Sequence, residues 1–203
     1  MHLFHYHLVT SRIRLVEARY LGKLGFRLIA RYGWVGDSTQ SFGPGTSWEE
    51  LDRLSFRLRL IELGKGAVNV VLQPGHWERP RLDHLGIALG EAGYAAVLER
   101  AGQLELRVQD HPGKRTFVAT EAGHRLEVHP PREWILATLA AADDLSLAEL
   151  HLRADDPEAK AAALAEVFAL EREGGDVAVG KTIVRFLPGG PEGRPELVAE
   201  VFG

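Results

Sequence analysis

The chain contains no cysteine, a single methionine, no long uncharged apolar run and no excess of cationic side chains. Each absence excludes a class of answer. Without cysteine there is no disulfide framework and no thiolate ligand, so a bound metal must take histidine nitrogen and carboxylate oxygen. A formal net charge of -4 leaves no basic footprint for nucleic acid or an anionic membrane surface. No stretch reaches membrane-spanning length, and the start Met1-His2-Leu3-Phe4-His5 lacks a basic segment followed by an apolar one. The expected location is therefore the cytoplasm, and the expected partner is a small molecule.

What the 203 residues do contain is a repeat. An alternating apolar stretch, an amphipathic helix and further strands follow one another three times. A βαβββ unit of this kind makes a curved half-sheet whose concave face must be covered by another. The first module covers residues 1–74. Residues 4–10 predict a strand with His5, His7 and Val9 on one face, Ser11 is placed to cap a helix over 12–24, and Gly25 ends it. Strands are expected at 26–30, 54–63 and 67–73, with a polar loop over 33–47. The second module, residues 80–130, opens with a strand at 82–89 and a helix at 94–100, then strands at 104–108, 115–119 and 125–129. A connecting helix over 131–145 carries Trp134, Ile135 and Leu139 on one side. Residues 146–203 give a third, degenerate copy: a strand at 149–154, a helix at 157–170, and strands at 182–187 and 196–202. The fold class is α+β, with paired βαβββ modules forming a curved mixed-sheet half-barrel.

Three segments carry a resemblance. Tyr20-Leu21-Gly22-Lys23-Leu24-Gly25-Phe26, Asp83-His84-Leu85-Gly86-Ile87-Ala88-Leu89 and Glu121-Ala122-Gly123-His124-Arg125-Leu126-Glu127 resemble the helix-end, module-opening and closing-strand signatures of the vicinal oxygen chelate superfamily. That group includes glyoxalases, bleomycin-resistance proteins and extradiol dioxygenases; Glu121 stands where aspartate is commoner. The resemblance implies a divalent ion, Fe, Mn, Ni or Zn, held by His5, His84 and Glu127. His7 would replace or orient His5. Many members carry a glutamate on the last strand of the first module; here Asn69 and Gln73 are the oxygen donors available. Two imidazoles and a carboxylate cover one face of an octahedral ion and leave adjacent positions for a substrate with two neighbouring oxygens. The implied function is a glyoxalase- or dioxygenase-like metalloenzyme with isomerase, lyase or oxygen-inserting chemistry. One alternative is an extradiol ring-cleaving dioxygenase, although no tyrosine follows Tyr94, where larger members have one. Another is a metal-free, bleomycin-resistance-like binding protein using Trp34, Phe42 and Trp48.

Other features have plainer readings. His124 and His129 read as structural, and Glu121 with Arg125 as a solvated pair. Gly175 to Thr182 satisfies the phosphate-loop expression G-x-x-x-x-G-K-[ST], but a helix precedes it and a strand follows, the reverse of what phosphate binding needs. A hairpin turn is expected there. The third module opens with Glu149 instead of histidine and is read as structural. An odd number of half-sheets leaves one face uncovered, which predicts a homodimer paired through third modules.

Overall fold

Strand β1 (His2–Thr10) buries Leu3, Tyr6 and Leu8 in the hydrophobic core and turns His5 and His7 to the other side. Away from bulges a two-residue alternation recurs on the strands around it, because successive side chains leave a pleated strand on opposite faces. The computed structural model describes residues 1–111, 115–120, 122–140 and 145–203.

After β1 come α1 (Ile13–Gly22), β2 (Arg27–Val35), β3 (Ser38–Phe42), α2 (Trp48–Arg53), β4 (Arg57–Lys65) and β5 (Val68–Pro74). Gly25 takes φ +69° after the first helix, as expected. Ser11 does not cap that helix; the cap is Arg12, whose N–H donates to Thr10 Oγ1 at 3.1 Å. The region expected to be loop is also more ordered. Strand β2 continues to Val35 and reverses at Gly36, with φ +58°, into β3. Ser47 and Glu50 then form a reciprocal capping box for α2, which places two otherwise unpaired backbone donors.

The second module is β6 (Arg81–Ala88), α3 (Glu91–Gln103), β7 (Arg107–His111), β8 (Arg115–Ala119) and β9 (Arg125–His129). Its second strand lies about a turn later than expected because α3 runs longer. Strands β1 and β6 pair antiparallel and form a seam between the two modules, with β5 parallel on one side and β9 parallel on the other. The seam carries two bulges. Leu3 faces Ile87 while His5 faces Gly86, leaving Phe4 extra; His7 faces His84 while Leu8 faces Leu82, leaving Asp83 extra. A bulge re-aims side chains, so Phe4 joins His5, and Asp83 joins His84, on the concave face.

Helix α4 (Glu133–Ala140) connects to the third module: β10 (Leu147–Arg153), α5 (Pro157–Phe168), β11 (Arg172–Glu173), β12 (Asp176–Val179), β13 (Thr182–Leu187) and β14 (Glu196–Phe202). Strands β11 and β12 were not expected and complete this βαβββ unit. The phosphate-loop expression spans β12, a turn with Gly180 at φ +64°, and the start of β13. Strand β14 pairs antiparallel with β10 in the register that β6 has with β1, leaving Ala148 and Val198 as the extra residues. It therefore stands where a fourth module would begin.

The concave face of the third unit mixes ion pairs with apolar side chains: His151 binds Glu149 and Arg185 binds Asp176, while Val198 and Val201 beside them are exposed. Glu200 points the other way, into the core, where it accepts from Tyr6, Tyr20 and Arg19. One hydrophobic core runs through all three modules on the helix side of the sheet. No helix among the described residues is long and apolar enough to cross a membrane.

Candidate metal centre

Many strands line one cavity of about 780 Å³, and four of them supply the groups at its centre: His5 and His7 from β1, Asn69 and Gln73 from β5, Asp83 and His84 from β6, Glu127 and His129 from β9. At its floor His5 Nε2 and His84 Nε2 lie 3.3 Å apart. Glu127 Oε2 is 2.9 Å from the second and 3.8 Å from the first. All three residues are buried. Gly86 is required opposite His5, because a Cβ there would fall 2.6 Å from His5 Cβ. The absence of a side chain lets one ring lie across the neighbouring strand.

Outer partners set the tautomers. His5 Nδ1 donates to Asn69 Oδ1 at 2.7 Å, and Asn69 is oriented in turn because its Nδ2 donates to Glu62 Oε1 at 2.9 Å. On the other side His84 Nδ1 donates to Asp83 Oδ2 at 2.7 Å, and Asp83 is held by Arg125 and, at 2.7 Å, by Arg194. Both imidazoles therefore carry a proton on Nδ1 and turn Nε2 toward Glu127. Glu127 Oε1 accepts from His129 Nε2 at 3.0 Å.

Three lone-pair atoms meeting in a buried pocket repel one another unless a cation lies between them. In the chain alone a proton can serve. Burial opposes charge on His84, but Asp83 and Glu127 outweigh it and raise its pKa. Burial also pushes Glu127 up, yet hydrogen bonds from His129 and His84 hold it well below the usual carboxylate range. Burial and the neighbouring His84 lower His5 to about 4. The donor set of two neutral imidazoles and one carboxylate fits a divalent transition ion, which would displace that proton.

The structure thus brings His5, His84 and Glu127 together. His7 lies beside them: ligand atoms of His5, His7 and His84 are within 4.8 Å of one another, and His7 Nε2 is buried without a hydrogen-bond partner. Asn69 stands behind His5, and Gln73 lines the cavity wall. The aromatic loop residues lie elsewhere. Trp48 donates to Glu17, Phe42 meets Phe56 edge to face, and Trp34 lies under Arg57. The aromatic lining is instead Phe4, Tyr32, Phe117 and Trp134, with Trp134 supplied by α4. Arg125 binds Asp83, and the expected pair of Glu121 with Arg125 lies outside the described residues. Sequence reasoning missed Asp83, Glu62 and Arg194. A signal for Asp83 existed in the Asp-His pair, but strict alternation sends neighbours to opposite faces.

No family model matches the sequence, and no curated protein matches it. Solved structures do. A triple mutant of 4-hydroxymandelate synthase from Streptomyces coelicolor is 13% identical, with a TM-score of 0.63 over 99% of this chain and 70% of that one. The 2,3-dioxygenase LapB from Pseudomonas sp. KL28 is 11% identical, with a TM-score of 0.55 over 96% and 72%. A Mn(II)-bound glyoxalase from Novosphingobium aromaticivorans is 11% identical, with a TM-score of 0.53 over 97% and 63%. A fusion of a xylose isomerase-like barrel with 4-hydroxyphenylpyruvate dioxygenase matches over 99% of this chain and only 36% of its own length. At these identities the likeness is one of architecture, and the chain has the βαβββ fold of the vicinal oxygen chelate superfamily.

Proposed function

We propose that the chain is a divalent-metal-dependent enzyme whose ion is held by His5, His84 and Glu127 and whose substrate is a small molecule with two adjacent oxygens. The observation that carries this reading is the convergence of His5 Nε2, His84 Nε2 and Glu127 Oε2, with both ring tautomers fixed from behind. When bound, the ion supplies Lewis-acid polarisation of those oxygens.

The chain's own residues do the rest. Phe4, Phe117 and Trp134 seat the substrate's carbon skeleton and keep water from it. Arg115 Nη1, 3.9 Å from Glu127 Oε1, faces the place where negative charge develops on a substrate oxygen. His129 keeps the carboxylate of Glu127 turned inward. The aromatic lining favours a planar substrate, which supports ring-cleaving dioxygenase chemistry as the second reading.

Metal content tests the proposal. The purified chain, supplied anaerobically with Fe(II), Mn(II) or Zn(II), is expected to retain about one ion, and Glu127→Gln to lose it while staying folded. A wild-type chain that retains none leaves the metal-free binding protein as the reading. Oxygen uptake with a series of catechols then separates ring cleavage from isomerase or lyase chemistry.

A further inference from the structure

The third module has no comparable donor set, yet its chain returns to the metal centre at one place. Leu82 N–H donates to Pro195 O at 2.8 Å, Leu197 N–H donates to Pro80 O at 2.8 Å, and Glu196 pairs with Arg81 between them. Residues 195–197 therefore run antiparallel beside the start of β6. That pairing sets residue 194 next to residue 83.

Resting on the metalloenzyme reading, we propose that Arg194 is a positioning residue for the metal centre: it holds Asp83, and through Asp83 it orients His84. Arg194 Nη2 lies 2.7 Å from Asp83 Oδ1, while Arg125 takes Oδ2, the oxygen that accepts from His84 Nδ1. A guanidinium on each oxygen stops the carboxylate from rotating, and the planar fork suits that task better than a point charge. Arg194 is itself steadied over the Trp77 ring, 5.6 Å from its centroid.

A second contact fixes the segment that carries Arg194. Lys160 of α5 is 4% exposed and donates to Ala122 O and, at 2.8 Å, to Gly193 O. Burying an ammonium group is costly unless its donors are placed. Here they tie the turn leading into β9, which bears Arg125 and Glu127, to the residue next to Arg194. The third module thus supports both sides of the candidate centre from behind, a role its own lack of ligands hides.

The test compares the full-length wild type with Arg194→Met and Arg194→Lys by Mn(II) titration, reading free ion from its paramagnetic resonance signal. Loss of an outer-shell partner typically costs 10- to 100-fold in metal affinity. Arg194→Met is expected to bind about tenfold more weakly, with Arg194→Lys recovering part of the loss. In the ion-free chain the His84 ring-nitrogen spectrum should show a hydrogen-bonded Nδ1–H that exchanges faster in Arg194→Met. Wild-type affinity in Arg194→Met, or an unchanged His84 spectrum, overturns the positioning role. Should Arg194→Met not fold, Arg194→Gln takes its place with the same two outcomes. If the wild type binds no Mn(II), Fe(II) or Zn(II), the proposed function falls. The ring-nitrogen spectrum then still decides whether Arg194 orients His84.

Discussion

The β1/β6 seam and the β10/β14 seam share a backbone and differ in chemistry. Both pair antiparallel, in the same register, with one extra residue on each strand. Superposed by that register, Phe4 corresponds to Ala148, His5 to Glu149, Asp83 to Val198, His84 to Ala199 and, on the parallel neighbour, Asn69 to Ile183. The strand alongside differs too. Strand β9 carries Glu127 beside β6, whereas β14 meets its outer neighbour only at Glu196. A bulged seam is therefore the scaffold, and a site requires donors and a closing strand added to it.

Copying the second seam into the first breaks this comparison. The largest effect is expected from His84→Ala, which installs the equivalent of Ala199. Direct loss of a donor should weaken metal binding about a hundredfold or more, beyond the range of outer-shell losses. Calorimetric titration checks it, and an unchanged affinity would move the centre away from the seam. Asp83→Val, the equivalent of Val198, should cost less. His84 keeps its place but loses the acceptor for Nδ1, so about 10- to 100-fold is expected. Arg125 and Arg194, both partly exposed, can turn to solvent, so thermal unfolding should show a folded chain.

The same comparison explains what was legible. The resemblance pointed to His5, His84 and Glu127, and alternation along β1 put His7 on the same face as His5, because successive side chains leave a strand on opposite faces. Bulges leave no mark on such a pattern. A single unpaired residue changes which neighbour shares a face, and so Asp83 was read as a strand residue without a role. Glu200 shows the converse. It matches Leu85 in register, and its carboxylate is tolerated inside because Tyr6, Tyr20 and Arg19 come from distant parts of the chain. Arg194 was illegible for the same reason, since its meeting with Asp83 depends on how the third module returns to β6.

His84 and His124, two buried histidines of the second module, sharpen the comparison at a smaller scale. Both are buried, but His84 has partners at each nitrogen, whereas neither nitrogen of His124 has a hydrogen-bond partner. Burial, with a smaller contribution from Lys160, lowers the pKa of His124 from 6.5 to about 3. The folded chain thus keeps it neutral, while the unfolded chain protonates it near the ordinary value. Between those two values the unfolded state binds the extra proton, so stability falls as pH drops below about 6.5. From pH 7.5 to 5.5 the linkage relation gives a loss of about 1.4 kcal/mol for one such group. His5 and His7 are lowered as well, and so the informative quantity is a difference. Urea unfolding of the ion-free chain at the two pH values should show His124→Leu losing less than the wild type by about that amount. Equal losses would mean that His124 gains a proton or solvent in the folded state, and that its contact with Phe186 of the third module, ring centroids 5.9 Å apart, is looser than its burial implies.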